Sequence, residues 1–168
     1  LPKAGSPEEY TMEYFAEIIA NNKSSRLYKK LVYEKKMLQS VSAFVYMLKD
    51  AGVLLFQAMY NQKVKAEDVK KAIEDEINDL VSKGITDEEF ETVRNQIEFR
   101  FTAKYSKLLN ISIDSTIDFI NFNDITRLND QVSKFLSVSK QDVVNSVNEF
   151  LLKKKSVSLT YLPMNLKK

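Results

Sequence analysis

The sequence predicts an α+β domain, an antiparallel or mixed sheet covered on one side by several helices. Three observations carry this. Apolar residues recur at helical spacing through most of the chain, and two β-rich runs flank a short connection containing Gly52. Near the end, Val157, Leu159 and Tyr161 alternate as a strand does. Periods of 3.6 and 2 separate helix from strand, and helices laid on one face of a sheet bury both apolar surfaces. With 168 residues, a single domain spanning 1–168 is expected. Its closing strand should return to the sheet, so that the C-terminal end completes the core.

Ser6, Pro7 and Glu9 read as N-cap, first-turn proline and capping-box glutamate. Tyr14, Phe15, Ile18 and Ile19 then form an apolar face that ends near Asn21 and Asn22. A second short helix, about 25–36, carries Leu27, Leu31 and Val32. Strands over 41–48 and 53–60 make a hairpin. The unbroken apolar run at 53–56 predicts a well-covered strand rather than an edge. Val69, Ile73, Ile77 and Leu80 define a helix from Ala66 that Gly84 stops. Thr86 and Glu89 open the next through another capping box, and Phe90, Val93, Ile97 and Phe101 carry it to about Leu109. Further helices are expected over 111–123, 125–136 and 140–152, the last capped by Ser139 with Asp142 at N3. Pro163 should stop the closing strand.

Composition excludes several chemistries. Histidine and cysteine are both absent, which removes the usual zinc ligands and every cysteine or Ser-His-Asp nucleophile. Carboxylates could still hold Mg²⁺ or Ca²⁺. The net charge of +2, from 25 basic and 23 acidic residues, gives no field for nucleic acid or an anionic membrane. Lys153, Lys154 and Lys155, like Lys167 and Lys168, read as solvated surface. No apolar run approaches the ~20 residues that span a bilayer, and no signal peptide opens the chain. A soluble chain is expected, with bacterial periplasm and cytoplasm both open as compartments.

Candidate binding residues cluster early. Arg26 offers a fork of donors for a carboxylate or peptide carbonyl, with Tyr28 nearby, though a surface salt bridge or helix cap is the better reading of a lone arginine. Glu34, Lys35 and Lys36 suit solvated helix charge better than acid–base work. Gln39, Ser40 and Ser42, at the entry to the first strand, could hydrogen-bond an extended peptide or simply face solvent. An open hairpin edge would let a peptide add as a strand. Glu88, Glu89 and Glu91 look like a metal cluster, but capping explains Glu89 without one. Phe99, Phe101, Tyr105, Phe119 and Phe122 have the spacing of core or interdomain packing.

The segment from Ser24 through Arg26, Leu27, Tyr28 and Leu31 to Glu34 and Lys35 resembles a signature helix of the M16, or insulinase/pitrilysin-like, metallopeptidases. The likeness continues through Gln39 to Phe44, again at Gly84 to Phe90, and in the closing residues 157–163. It implies a LuxS/MPP-like metallohydrolase domain whose first strand or strands are not in this chain. Lacking histidine, the chain resembles the companion domain that holds no zinc. The resemblance implies a homologous partner domain, in the same chain or another subunit, whose His-x-x-Glu-His motif supplies zinc and general base. This chain would bind no cofactor itself, form chamber wall and contact peptide through Gln39, Ser40, Ser42, Arg26 and Tyr28. At two positions where many companion domains carry substrate-contacting arginine and tyrosine, this chain has Val32 and Gln39. The alternative is a catalytically inactive homologue serving as a structural or peptide-binding subunit.

Overall fold

In the computed structural model, which describes residues 1–152 and 154–162, helix α1 (Pro7–Ile19) is the buried axis. Tyr10, Met12, Tyr14, Phe15, Ala16, Ile18 and Ile19 are all buried, and so is Thr11. A helix this broadly apolar must be enclosed on most sides, with Glu9, Glu13 and Glu17 along its partly open edge. Strand β1 (Leu38–Met47) covers one flank, and helices α3 (Asp87–Tyr105), α5 (Arg127–Ser137) and α6 (Lys140–Phe150) cover the others. Phe15 meets Phe56 edge-on at 6.4 Å, while Tyr14 stacks on Phe90 at 5.0 Å. Two hydroxyl-bearing residues of α1 are matched inside the core. Tyr14 donates to the Phe135 carbonyl at 3.2 Å, and the Thr11 and Ser146 hydroxyls share a bond of 2.7 Å.

The start of α1 differs from the predicted capping box. Ser6 makes no side-chain cap, and Glu9 accepts from the Gly5 N–H at 2.7 Å instead. The left-handed turn at Gly5, φ +82°, brings that N–H to the carboxylate. The second helix is π-wound over Tyr28–Glu34, with the Lys35 N–H bonded to the Lys30 carbonyl at 3.0 Å. This wider winding buries Leu27 and Leu31 completely and leaves Tyr33 exposed. Val32 is partly buried and packs on the core. Lys36, at φ +51°, turns the chain into the sheet.

Strand β1 pairs antiparallel with β2 (Gly52–Tyr60), with a register shift between Leu38 and Ser40. Among the described residues the sheet has these two strands. Val41, Ala43, Leu54 and Phe56 belong to the face turned toward the core, whereas Phe44, Tyr46, Val53, Leu55 and Met59 are exposed. The run at 53–56 is therefore not a well-covered strand. Strand geometry sends alternate side chains to opposite faces, and only one face of β2 is roofed.

The predicted closing strand does not form. Val157, Leu159 and Tyr161 are 91%, 79% and 87% exposed, and residues 155–162 pair with no strand. Alternation favours an extended chain but does not supply a partner edge, and contacts from the N-terminal segment already occupy part of both edges. Leu1 exchanges two backbone bonds with Gly52 on β2, at 2.8 and 2.9 Å, and the Asn21 side chain engages Ala43 on β1. Lys153, Pro163, Lys167 and Lys168 lie outside the described residues.

The remaining helices follow their end signals. Helix α2 (Ala66–Lys83) ends at Gly84, whose φ of +79° only glycine adopts without strain. Both predicted capping boxes, Thr86 with Glu89 and Ser139 with Asp142, are formed. Helix α3 stops at Tyr105, before the expected end, and α4 (Leu108–Phe122) closes at Asn123 in the left-handed region. Phe101 packs against Phe135 and Tyr105, but Phe99 is 75% exposed and Phe119 also faces out. For Phe119 helical spacing could not reveal this, because α4 packs on α3 and α5 and leaves its other side open. Among the described residues, no helix is long and apolar enough to cross a membrane.

Phe15→Ala empties the centre of the core and should cost about 3–5 kcal/mol, whereas Phe99→Ala should stay within about 0.5 kcal/mol. Urea denaturation of the two variants checks the contrast. Equal losses would mean that α1 is not the organising axis.

Candidate functional site

The hairpin's outer face is an orderly surface not used by the core. Its cross-strand partners are Ser40 with Met59, Ser42 with Gln57, Phe44 with Leu55, and Tyr46 with Val53. One end of this double row is polar and the other apolar. Phe44 and Tyr46 stack with ring centroids 6.2 Å apart. At the polar end, Gln39 donates to Asn61 Oδ1 at 3.2 Å, and Asn61 donates to the Lys36 carbonyl at 2.7 Å. A contiguous apolar patch with a polar margin is the usual form of an interaction surface. Chemically, this one offers side-chain seats for an extended chain and hydroxyl and amide groups at one end.

The backbone edge is less available than the side-chain face. The Asn21 amide donates to the Ala43 carbonyl and accepts from the Ala43 N–H, both at 2.8 Å. A carboxamide carries one acceptor and a donor pair in the same arrangement as a peptide group, so Asn21 stands where a neighbouring strand would pair. In the sequence it marked only a helix end. No local pattern distinguishes it from Asn22, which bonds the Glu17 carbonyl.

The structure divides the expected binding residues. Ser40 and Ser42 lie on the outer hairpin face, with Gln39 beside them at the register shift. Tyr28 is partly buried against the core. Arg26 lies elsewhere and is fully engaged. Its Nε and Nη2 donate to the two Glu89 carboxylate oxygens at 2.7 and 2.8 Å, and Nη2 also donates to the Gly84 carbonyl at 2.8 Å. This bidentate fork ties the start of the π-wound segment to the junction of α2 and α3. Glu34, Lys35 and Lys36 are exposed. Glu88 and Glu91 are exposed too, while Glu89 serves the cap and Arg26. Among the described residues, no group of three or more metal-ligating side chains comes together.

Comparison with known proteins follows the same lines. Residues 1–97 match the family described as Peptidase M16 inactive domain. The chain is 25% identical over 168 residues to the zinc protease PqqE of Helicobacter pylori, with 97% of this chain and 36% of that protein aligned. It thus spans little more than a third of that relative's length. A solved protease structure from Helicobacter pylori superposes with a TM-score of 0.81 at 24% identity, over 89% of this chain and 36% of that one. The inactive peptidase domain of a Bordetella parapertussis protein gives 0.82 at 23% identity, over 91% and 82%. At these identities the two structures show a shared fold.

The Arg26 tie has a pH signature. Burial alone would raise the Glu89 carboxyl, but hydrogen bonds from Arg26 and Thr86 hold it at about 2, against an ordinary 4.5. A depressed carboxyl stabilises the fold above its unfolded pKa, and that contribution is lost as pH falls through the folded value. Glu89→Gln should therefore destabilise the chain near neutral pH, and the gap from the parent should close between pH 4.5 and about 2. Urea midpoints across that range test this. A gap independent of pH would remove the carboxylate's charge from the explanation.

Proposed function

Because the chain belongs to the M16 peptidase inactive-domain family, we propose that it is the non-zinc-binding half of an M16 zinc-peptidase assembly. A homologous His-x-x-Glu-His domain would supply a zinc-bound water and a general-base glutamate for attack on a peptide carbonyl. With no histidine and no cysteine, this chain's own part lies in shape and contact. It forms chamber wall, in a layered domain of the LuxS/MPP-like kind, and holds peptide along the outer hairpin face.

The observation that carries this reading is the exposed double row on the hairpin, polar near Gln39 and apolar at Phe44, Tyr46, Val53 and Leu55. The Gln39 amide and the Ser40 and Ser42 hydroxyls hydrogen-bond the peptide, while the apolar end receives its side chains. Arg26 must release Glu89 to touch substrate, and Tyr28 must leave its packed position. Both therefore rank below the first three as contacts.

A second reading has support of its own. At the two positions where the resemblance led us to expect arginine and tyrosine, Val32 packs on the core and Gln39 is held by Asn61. These suit a catalytically silent homologue that acts as a structural or peptide-binding subunit. Metal content and peptidase activity of the full assembly separate the readings: stoichiometric zinc with turnover supports the first, and peptide binding without either supports the second. In an active assembly, Gln39→Ala should lower kcat/KM about 3- to 10-fold, as expected for one lost hydrogen bond, with zinc content unchanged. Unaltered kinetics on several peptides would dismiss Gln39 as a contact.

A further inference from the structure

Away from the hairpin, α1, α3, α4 and α5 line a cavity of about 340 Å³. Four aromatic residues, Tyr10, Phe101, Tyr105 and Phe135, contribute to its wall. They form one packed group, with ring centroids 4.8 Å apart for Tyr10 and Phe135, 5.0 Å for Phe101 and Phe135, and 5.6 Å for Phe101 and Tyr105. The charged lining is unbalanced: Glu9, Glu13, Asp114 and Asp118 stand against Arg100 and Lys104.

Both cations have closer duties. Arg100 bonds Glu17 at 2.8 Å, outside the lining, and lies 4.0 Å from Glu13. Lys104 pairs with Asp114 at 2.5 Å, and Asp114 also accepts from the Tyr105 hydroxyl at 2.8 Å. Glu9 is occupied by the Gly5 N–H. Asp118, only 6% exposed, has Arg127 Nε 3.6 Å from its Oδ1, and its Oδ2 has no hydrogen-bond partner. Arg127 is itself stacked on Phe122, 3.7 Å from the ring centroid. Two carboxylates thus have their cations only at long range, Glu13 at 4.0 Å from Arg100 and Asp118 at 3.6 Å from Arg127. Burial raises the pKa of both Glu13 and Asp118, and Arg100 and Arg127 offset it only in part. Buried polar groups normally have a partner, and one left without is a place to look for a ligand.

We infer that this cavity binds an alkylammonium group, its charge held by Glu13 and Asp118 and its aliphatic stem laid against Tyr10, Phe101 and Phe135. Aromatic faces attract cations, and an amphipathic stem buries its methylenes while its charged head meets carboxylate. A free amine and the lysine side chain of a peptide share this chemistry. The site requires no catalytic partner and stands apart from the reading of the hairpin.

Calorimetric titration of the full chain tests this with n-butylammonium, N-acetyl-lysine methylamide and the isosteric norleucine derivative. The two amines should bind and norleucine should not. Glu13→Gln and Asp118→Asn, with unchanged circular dichroism, should each weaken binding about tenfold, the scale of one charged hydrogen bond. Should Asp118→Asn fail to fold, Glu13→Gln on the partly exposed wall still decides. Tighter binding of the lysine derivative than of butylammonium identifies a peptide side chain as the occupant, and equal binding a free amine. Absence of heat with both amines, equal binding of norleucine, or parental affinity in the folded variants would overturn the assignment.

Discussion

Much of this fold answers to one constraint: α1 leaves only its Glu9, Glu13 and Glu17 edge to be wet. Tyr14, Phe15, Ile18 and Ile19 occupy one broad face of the helix, and all are buried. Burying large side chains around most of one helix removes a large apolar surface from water. The hairpin and three helices are placed by that requirement. Their second faces are then left to whatever else the molecule does, which is why the outer hairpin and the far side of α4 remain apolar and exposed.

A second constraint holds the sequence-distant parts in register. Arg26 precedes the π-wound segment, and its guanidinium meets the α2–α3 junction at three acceptor atoms. The same carboxylate closes the Thr86 capping box. One glutamate therefore anchors a helix start and a tertiary contact together, and neither can shift without disturbing the other. A residue that looked suited to binding peptide is employed in assembly.

The local signals were legible. Capping boxes at Thr86 and Ser139, the stop at Gly84 and the hairpin all depend on neighbours within a few residues, and all are present. One local signal failed, the Ser6 capping box, where Glu9 accepts from the Gly5 N–H instead; the larger failures depended on partners far along the chain. The alternation at 157–161 predicted a strand, but pairing requires a free edge in the right place. The run at 53–56 predicted cover on both faces, which only a second layer could provide. The candidate site was half legible: Gln39, Ser40 and Ser42 do lie together, because neighbours on a strand share its surroundings. For Arg26 the sequence offered a salt bridge beside a peptide contact but could not name the partner, because Glu89 is 63 residues away. Asn21 was invisible, since nothing local shows where a side-chain amide will point.

That amide gives the sheet a direction of growth. By matching both backbone groups of Ala43, Asn21 makes any strand approaching β1 displace two hydrogen bonds before it forms its own. Exposed strand edges are the usual starting points of runaway self-association, and a single side chain lowers that hazard here without lengthening the chain. On the other flank, Leu1 and Gly52 already show the first rung of an antiparallel ladder. A larger sheet built on this hairpin would extend from β2, one-sidedly, with its register set by that first rung.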